Sequence, residues 1–403
     1  MQIVVIGGGA AGYFAAIHAR CTDPAHDVLL LERTRKPLAK VRISGGGRCN
    51  VTHSCWDIRR LAENYPRGER FLRNAFGRFA VADTVAWFKE NGVLLKTGPD
   101  GRMFPTTDRS ETIVQALQNA AQRAGVKIHI GEPVEELQVA RTFEVRTPYR
   151  SLLADRVIIA TGGSPKPEGF DWLTRSGIAV VPPVPSLFTL NMPGDPIVAL
   201  KGVTVDPVRL VLAGTRIEAT GPLLITHWGF SGPAALRLSA WGARTMHEMG
   251  YDATVRVDWT GGRTVRAVHE VLERAHGPSP DKELHNRPVF GLPSRLWSHL
   301  LERAGVRPDK RCGDLGKHDR HRITEVLIND RRSMRGKTTF KEEFVTAGGV
   351  DLKDIDPQTM MSRTFPGLHF AGEVLDIDGI TGGFNFQAAW TTGAIAGHAV
   401  VRP

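Results

Sequence analysis

Ile3-Val4-Val5-Ile6-Gly7-Gly8-Gly9-Ala10-Ala11-Gly12 runs an apolar strand directly into the spacing G-x-G-x-x-G and on into a helical pattern. Few short sequences constrain a fold so tightly, because this one needs a strand before it, a helix after it and a parallel partner beside it. Gly7 permits the tight turn, Gly9 lets backbone come up to a pyrophosphate, and Gly12 lets the helix pack on the strand. The helix that begins at Ala10 and Ala11 faces the phosphates with its partially positive N-terminus. Glu32 closes the next strand, with Arg33 after it. It stands about 20 residues past the fingerprint, where a carboxylate accepts from both ribose hydroxyls. Dinucleotide binding follows from the three features together.

The surrounding pattern agrees. Strand Gln2 to Ile6, helix Ala11 to Ala19 and strand Asp27 to Leu31 alternate, then helices near Ala82 to Asn91 and Arg109 to Ala124, and strands Lys127 to Ile130 and Arg156 to Ala160. Such alternation predicts a parallel α/β sheet, and Asp108 reads as the N-cap of the second of those helices. From about Pro182 prolines cluster and short β-rich runs take over, such as Arg209 to Ala213 and Thr254 to Trp259. Helical patterns return in Thr264 to Ala275, Ser294 to Ala304 and His321 to Ile328, and strand and glycine patterns resume after about Phe340. The expected fold is α/β: a Rossmann-type domain over residues 1–185 completed by 340–403, an inserted mostly-β domain (186–262 and 330–339) and a small helical domain (263–329).

FAD and NAD both satisfy the N-terminal fingerprint, so the choice rests on three later segments. Ser44-Gly45-Gly46-Gly47-Arg48-Cys49-Asn50 leaves backbone bare over several residues, suited to a flat ring or a phosphate. Ala160-Thr161-Gly162-Gly163 forms a small-residue turn after an apolar strand, and Thr381-Gly382-Gly383-Phe384-Asn385 is a second glycine-rich helix start. Backbone amides at that second start suit the far end of a long dinucleotide, where a reduced flavin carries negative charge. All three favour FAD.

The runs K-V-R-I-S-G-G-G-R-C-N-V-T-H, G-R-M-F-P, T-H-W-G-F-S-G-P-A and G-E-V-L-D-I-D-G-I-T-G-G-F-N-F-Q resemble the bacterial YhiN-like flavoproteins, also labelled the BaiN-like or aminoacetone-oxidase family. The resemblance covers nearly the whole chain in order. It implies an FAD domain with inserted β and helical domains. Residue by residue, it implies Gly7, Gly9, Ala10, Ala11 and Glu32 at the ADP half, and Lys40, Ser44, Gly45, Gly46, Arg48, Cys49 and Asn50 along the flavin and phosphates. Val134 is implied at the adenine through its backbone, Thr161 and Gly162 near the nucleotide. Gly372, Glu373, Asp376, Gly383, Asn385 and Gln387 are implied at the ribityl chain and pyrimidine edge. Thr142 to Tyr149 leaves little room for a second nucleotide-binding unit, so a nicotinamide, NADH or NADPH, is expected to reach the flavin directly.

Hydride transfer at a flavin needs a proton donor or acceptor for most substrates. His227, just before a helix start at Gly232-Pro233, titrates near neutrality and is the candidate; the alternative is a structural histidine at a domain junction. Cys49 is read as a buried small residue rather than a redox thiol, since no resolving cysteine sits two residues away. Arg102 and Arg109 are candidates for holding an anionic substrate, or merely flank the helix.

Composition narrows the classes. The charge of +10 among 403 residues is spread, and its densest run, Lys310 to Lys341, is interleaved with Asp314, Asp319, Glu325 and Asp330, the mark of solvated helix faces. Nothing interleaves basic and aromatic residues as a base-stacking surface does, so a small-molecule substrate is expected and nucleic acid is not. Four cysteines without paired spacing point to a reducing compartment. With no basic leader before Gln2 and no apolar run of about 18 residues, the expectation is a cytoplasmic enzyme with no membrane partner. The leading reading is an FAD oxidoreductase that reduces a conjugated C=C or C=O with NAD(P)H. An amine oxidase using O₂, a tRNA-modifying flavoprotein and a non-catalytic FAD sensor are the alternatives.

Overall fold

The computed structural model describes residues 1–140, 142–278, 280–338 and 345–402; the domain boundary expected near Phe340 lies outside them. The chain divides into two compact units, Met1–Ser186 with Phe340–Pro403, and Leu187–Thr339.

The first unit is built on strand β1 (Gln2–Ile6), helix α1 (Ala10–Thr22) and strand β2 (Asp27–Glu32). Five parallel strands run in the order Leu368–Phe370, Arg156–Ile159, β1, β2, Lys127–Ile130. In register, Val4 faces Val157 on one side and Leu29 on the other. The middle of β1 is buried on both faces, which is why it reads as an unbroken apolar run rather than an alternation. The C-terminal helix Phe384–Val400 lies against α1. A Cβ at Gly393 would stand 2.7 Å from the Ala11 carbonyl oxygen and one at Gly397 2.4 Å from that of Ala15. Two glycines one turn apart therefore let the two backbones touch, and the end of the chain completes the sheet domain begun by its start.

In the chain between Lys127–Ile130 and Arg156–Ile159, Glu136–Val139, Phe143–Arg146 and Ser151–Ala154 form an antiparallel sheet. The short stretch from Thr142 is thus one strand of a meander. Helix Ser110–Ala124 departs from the expected cap: Arg109 takes the N-cap position with no side-chain hydrogen bond. Asp108 adopts a left-handed φ of 53° and its carboxylate pairs with Lys96. A partner twelve residues away competes for the carboxylate that local pattern assigns to the helix, and Asp tolerates that backbone better than most residues.

The second unit carries a seven-stranded antiparallel sheet in the order Asp330–Arg335, Asp252–Asp258, Thr204–Leu212, Glu218–Ile225, Gly229–Ser231, Thr189–Asn191, Lys337–Thr338. Helices Pro233–Trp241, Val265–His276, Ser294–Arg303 and Lys317–Asn329 accompany it. Leu210, Val257, Leu272, Trp297, Leu327 and Met334 belong to one continuous core, so the helical stretch and the β-rich stretch share their interior. Asp330 is not on a solvated helix face: it opens a strand, fully buried, and accepts from Arg332 Nε at 2.9 Å, Trp259 Nε1 at 3.0 Å and Arg303 Nε at 2.5 Å. Its place in a charged run conceals this, because two of the three donors, Trp259 and Arg303, come from elements outside the run.

Candidate functional site

The turn from β1 into α1 has the geometry that its glycines predict. Gly7 sits at φ +112° and donates its N–H to the Leu31 carbonyl at 2.8 Å, and any Cβ there would stand 2.4 Å from the Ala160 oxygen. At Gly12 a Cβ would come within 1.9 Å of the Gly7 oxygen. These two glycines are required by packing. Gly9 differs: nothing lies within 4 Å of where its Cβ would be. It is the N-cap of α1, no side chain caps that helix, and its first turn carries no acidic residue. The leading amides at Ala10 and Ala11 are therefore free of a side-chain competitor, and open space stands before them, the arrangement that receives a phosphate.

Glu32 stands beside this turn. Its Oε2 accepts from the Gly8 N–H at 2.7 Å, and Oε1 accepts from Thr34 N at 2.8 Å and Thr34 Oγ1 at 2.7 Å. Gly8 and Thr34, which sequence reading passed over, hold the carboxylate in place; a Cβ at Gly8 would meet Glu32 Cβ at 2.8 Å. Arg33 is exposed. Val134 lies in the partly buried loop after Lys127–Ile130, where Glu132 N–H donates to the Glu32 carbonyl at 3.0 Å and Glu135 N–H to that of Arg146 at 2.9 Å. Among the described residues the Val134 N–H has no protein acceptor, so a backbone donor stands near the carboxylate that would hold a ribose.

The second glycine run closes helix α2 (Ala39–Gly47), whose helical backbone ends before Ser44. Gly45, Gly46 and Gly47 take φ of +59°, +67° and +82°, and no atom lies within 4 Å of a Cβ at Gly46 or Gly47. Ser44 Oγ donates to the Val41 carbonyl at 3.1 Å. Cys49 is fully buried with its N–H on the Ser44 carbonyl at 2.9 Å, and burial pushes its thiol up to about 12. It is a neutral packing residue, not a thiolate. Asn50 is buried, and its Oδ1 has no hydrogen-bond partner among the described residues. A Cβ at Gly383 would stand 2.9 Å from that oxygen. A buried acceptor without a donor costs about 1–3 kcal/mol, and a ligand N–H arriving beside Gly383 would remove that cost.

Gly383, at φ +94°, is the N-cap of the C-terminal helix, which likewise has no side-chain cap and no acidic residue in its first turn. Helix N-termini without a side-chain cap thus stand at both Gly9 and Gly383. Gly372, at φ +78°, donates its N–H to Thr392 Oγ1 at 2.8 Å. Glu373 accepts from Lys40 Nζ at 2.8 Å and from Thr346 N–H at 2.9 Å. A Cβ at Gly163 would come within 2.7 Å of the Glu373 carboxylate, while Gly162, at φ +77°, faces open space after exposed Thr161.

Not every expected residue reaches the open face. Gln387 is fully buried; its Oε1 accepts from Thr52 at 2.6 Å and Thr84 at 3.1 Å, and its Nε2 donates to Thr391 at 3.1 Å. Asn385 spends its side chain on the Gly379 N–H at 2.8 Å and carbonyl at 3.0 Å, bracing the loop before the helix. Asp376 is partly buried, its N–H on the Val350 carbonyl at 3.1 Å. Two residues on, Asp378 is fully buried, accepts from Ser186 Oγ at 2.6 Å and takes both guanidinium arms of Arg67. His227 belongs to the second unit, exposed on the turn between Glu218–Ile225 and Gly229–Ser231, with its ring 3.8 Å from that of Trp228.

The glycine cradles, the open amide ends, the carboxylate at Glu32 and the orphaned Asn50 oxygen fit a long dinucleotide carrying a flavin. Comparison with known proteins agrees. Residues 1–399 match the HI0933-like protein Rossmann domain family. The chain is 31% identical over 410 residues to the 3-dehydro-bile acid delta(4,6)-reductase of Clostridium scindens, spanning 100% of this chain and 99% of that one. It is 29% identical over 406 residues to the ribosomal RNA dihydrouridine synthase of Escherichia coli, across 96% of this chain and 95% of the relative. Among solved structures, the 3-ketosteroid delta1-dehydrogenase of Sterolibacterium denitrificans shares the fold, with a TM-score of 0.52, 13% identity and 99% of each chain covered. No helix among the described residues is long and apolar enough to cross a membrane. The chain belongs to the HI0933-like Rossmann family and is an FAD-dependent oxidoreductase.

Proposed function

We propose that this protein uses NADH or NADPH to saturate a carbon–carbon double bond conjugated to a carbonyl in a small organic substrate. The observation that carries the reading is the full-length similarity to a delta(4,6)-reductase, because the site's geometry supports flavin chemistry and leaves the substrate open. Bound FAD supplies a two-electron carrier that exchanges hydride at N5. On this reading the chain binds the ADP half at Gly9, Ala10, Ala11 and Glu32, with Val134 at the adenine and Thr161, Gly162 nearby. Asn50 and the amides after Gly383 orient the flavin end, and Lys40 and Glu373 fix the loop between them. His227 is the candidate proton donor.

A second reading, modification of RNA, is favoured by the similarity to a ribosomal RNA dihydrouridine synthase and by the +10 charge. Both relatives' names describe saturation of a carbon–carbon double bond, so the two readings differ in substrate rather than in reaction.

The test is anaerobic. NADH and NADPH are added to the yellow holoenzyme in separate cuvettes, and a 3-oxo-4-ene steroid or an rRNA fragment is then added to the reduced protein. Bleaching by a nicotinamide followed by re-oxidation with the steroid supports the small-molecule reductase. Re-oxidation by RNA alone moves the assignment to RNA, and a flavin re-oxidised only by O₂ refutes both.

A further inference from the structure

The strands Leu95–Thr97 and Arg102–Pro105 pair antiparallel, with Lys96 opposite Phe104, and the turn between them is closed by Gly98 N–H on the Arg102 carbonyl at 2.8 Å. Between this hairpin and Arg48 lies an open cleft of about 340 Å³, lined by Arg48, Lys96, Asp100, Arg102, Phe104 and Asp108 among others. Phe104 is 5% exposed and forms the common wall: its ring edge would stand 3.2 Å from a Cβ at Gly45. The Arg48 guanidinium lies 4.3 Å from the ring centroid and that of Arg102 5.7 Å.

The charges are unevenly matched. Arg102 is fixed by Asp100, Nε to Oδ2 at 2.5 Å, and Lys96 by Asp108. Arg48 makes one hydrogen bond, a 3.3 Å contact from Nε to the Gly45 carbonyl, and no carboxylate pairs with it among the described residues. Three cations face two carboxylates. The guanidinium that remains lies over a ring, with its terminal N–H groups uncommitted, which is the fork that matches a carboxylate or phosphate in two hydrogen bonds.

The geometry points to this cleft as a subsite for an anionic group, phosphate or carboxylate, carried by one of the molecules that exchange electrons with the flavin, with Arg48 as its bidentate partner and Arg102 and Lys96 supplying the field. The proposal rests on the reductase reading for the identity of those molecules, though not for the binding itself. The anion would come either from the 2′-phosphate of the nicotinamide donor or from an acidic end of the substrate.

Equilibrium titrations of the holoenzyme, followed by the flavin difference spectrum, separate the two sources. One arm uses 2′,5′-ADP against adenosine. The other uses a 3-oxo-4-ene steroid carboxylic acid against its methyl ester. Arg102→Gln and Lys96→Gln are suitable variants because both side chains are about half exposed, 42% and 47%, and lie outside the residues that hold FAD; Arg48→Gln is read alongside with its FAD content measured. The expected result is that Arg48→Gln weakens one anionic probe roughly tenfold or more, with a smaller change in the other two and none in the neutral control. Loss in the ADP arm assigns the donor phosphate, and loss in the acid arm assigns the substrate carboxylate. Affinities for both anions within about twofold of wild type in all three variants overturn the proposal. If neither nicotinamide bleaches the wild-type flavin, the reductase reading fails while the acid-against-ester titration still decides the subsite.

Discussion

Gly9→Ala separates folding from cofactor binding more cleanly than any other change at the fingerprint. Gly9 has φ −87° and ψ −171°, which alanine adopts without strain, and no atom stands within 4 Å of the new Cβ. Loss of glycine at an N-cap costs about 1 kcal/mol, and the lost freedom of the unfolded chain returns about 0.4–1 kcal/mol. The apo protein should therefore melt within about 4 °C of wild type. The methyl group instead occupies the space before the leading amides of α1. A charge-assisted hydrogen bond from backbone to phosphate is worth about 1.5–3 kcal/mol, so losing one raises the FAD dissociation constant roughly 10- to 150-fold. The assay is FAD titration of the apo protein by quenching of flavin fluorescence, with melting of the same samples. Gly12→Ala is the contrast, since its Cβ would lie 1.9 Å from the Gly7 oxygen and the fold itself should suffer. An FAD affinity for Gly9→Ala within twofold of wild type would refute the placement of the pyrophosphate at this turn.

In the second unit, Asp330→Ala removes one of the two carboxylates on fully buried Arg332 and the acceptor of Trp259, and urea unfolding should show a loss of about 3–5 kcal/mol; a loss below 1 kcal/mol would contradict the buried network. Burial lowers His18 to about 3 and His369 to about 4. The unfolded chain binds these protons first, so stability is full above about pH 6.5 and declines as pH falls towards 4 and then 3; urea midpoints that stay flat across that window would contradict it. The Cys49 thiol runs the other way: raised from 9.0 to about 12, it contributes stability below pH 9 that is lost as pH rises towards 12. At pH 8 it should react with a disulfide reagent only on unfolding, whereas exposed Cys21 reacts at once. His227→Gln should lower kcat roughly 100-fold or more while FAD affinity stays unchanged; an unaltered kcat would leave His227 a structural residue.

Much of the dinucleotide site is legible in the amino-acid order because it is made of backbone. A turn that needs φ +112° at Gly7, a helix start without a side-chain cap at Gly9 and a carboxylate at the end of the next strand are local requirements, and local requirements leave fixed spacings. The helices of both units follow their apolar periodicity for the same reason. Residues whose role depends on what lies opposite them are another matter. Asp108 answers Lys96 rather than its own helix, Gln387 turns inward to Thr52 and Thr84, and Asn385 closes on Gly379. Gly393 and Gly397 look like ordinary helix residues until α1 is laid against them, although their four-residue spacing was a usable hint.

By itself, then, the sequence determined the parallel sheet and the dinucleotide turn, since each depends on periodicity and on glycine where no other residue fits. Tertiary structure alone decided that Asp330 lies buried against Trp259, Arg303 and Arg332, that the Asn50 oxygen faces no donor among the described residues, and that Arg48 and Arg102 lie over one phenyl ring. Those facts depend on distances between segments far apart in the chain, and burial, which sets the energy of a charge or an unmet hydrogen bond, exists only once those segments have closed around it.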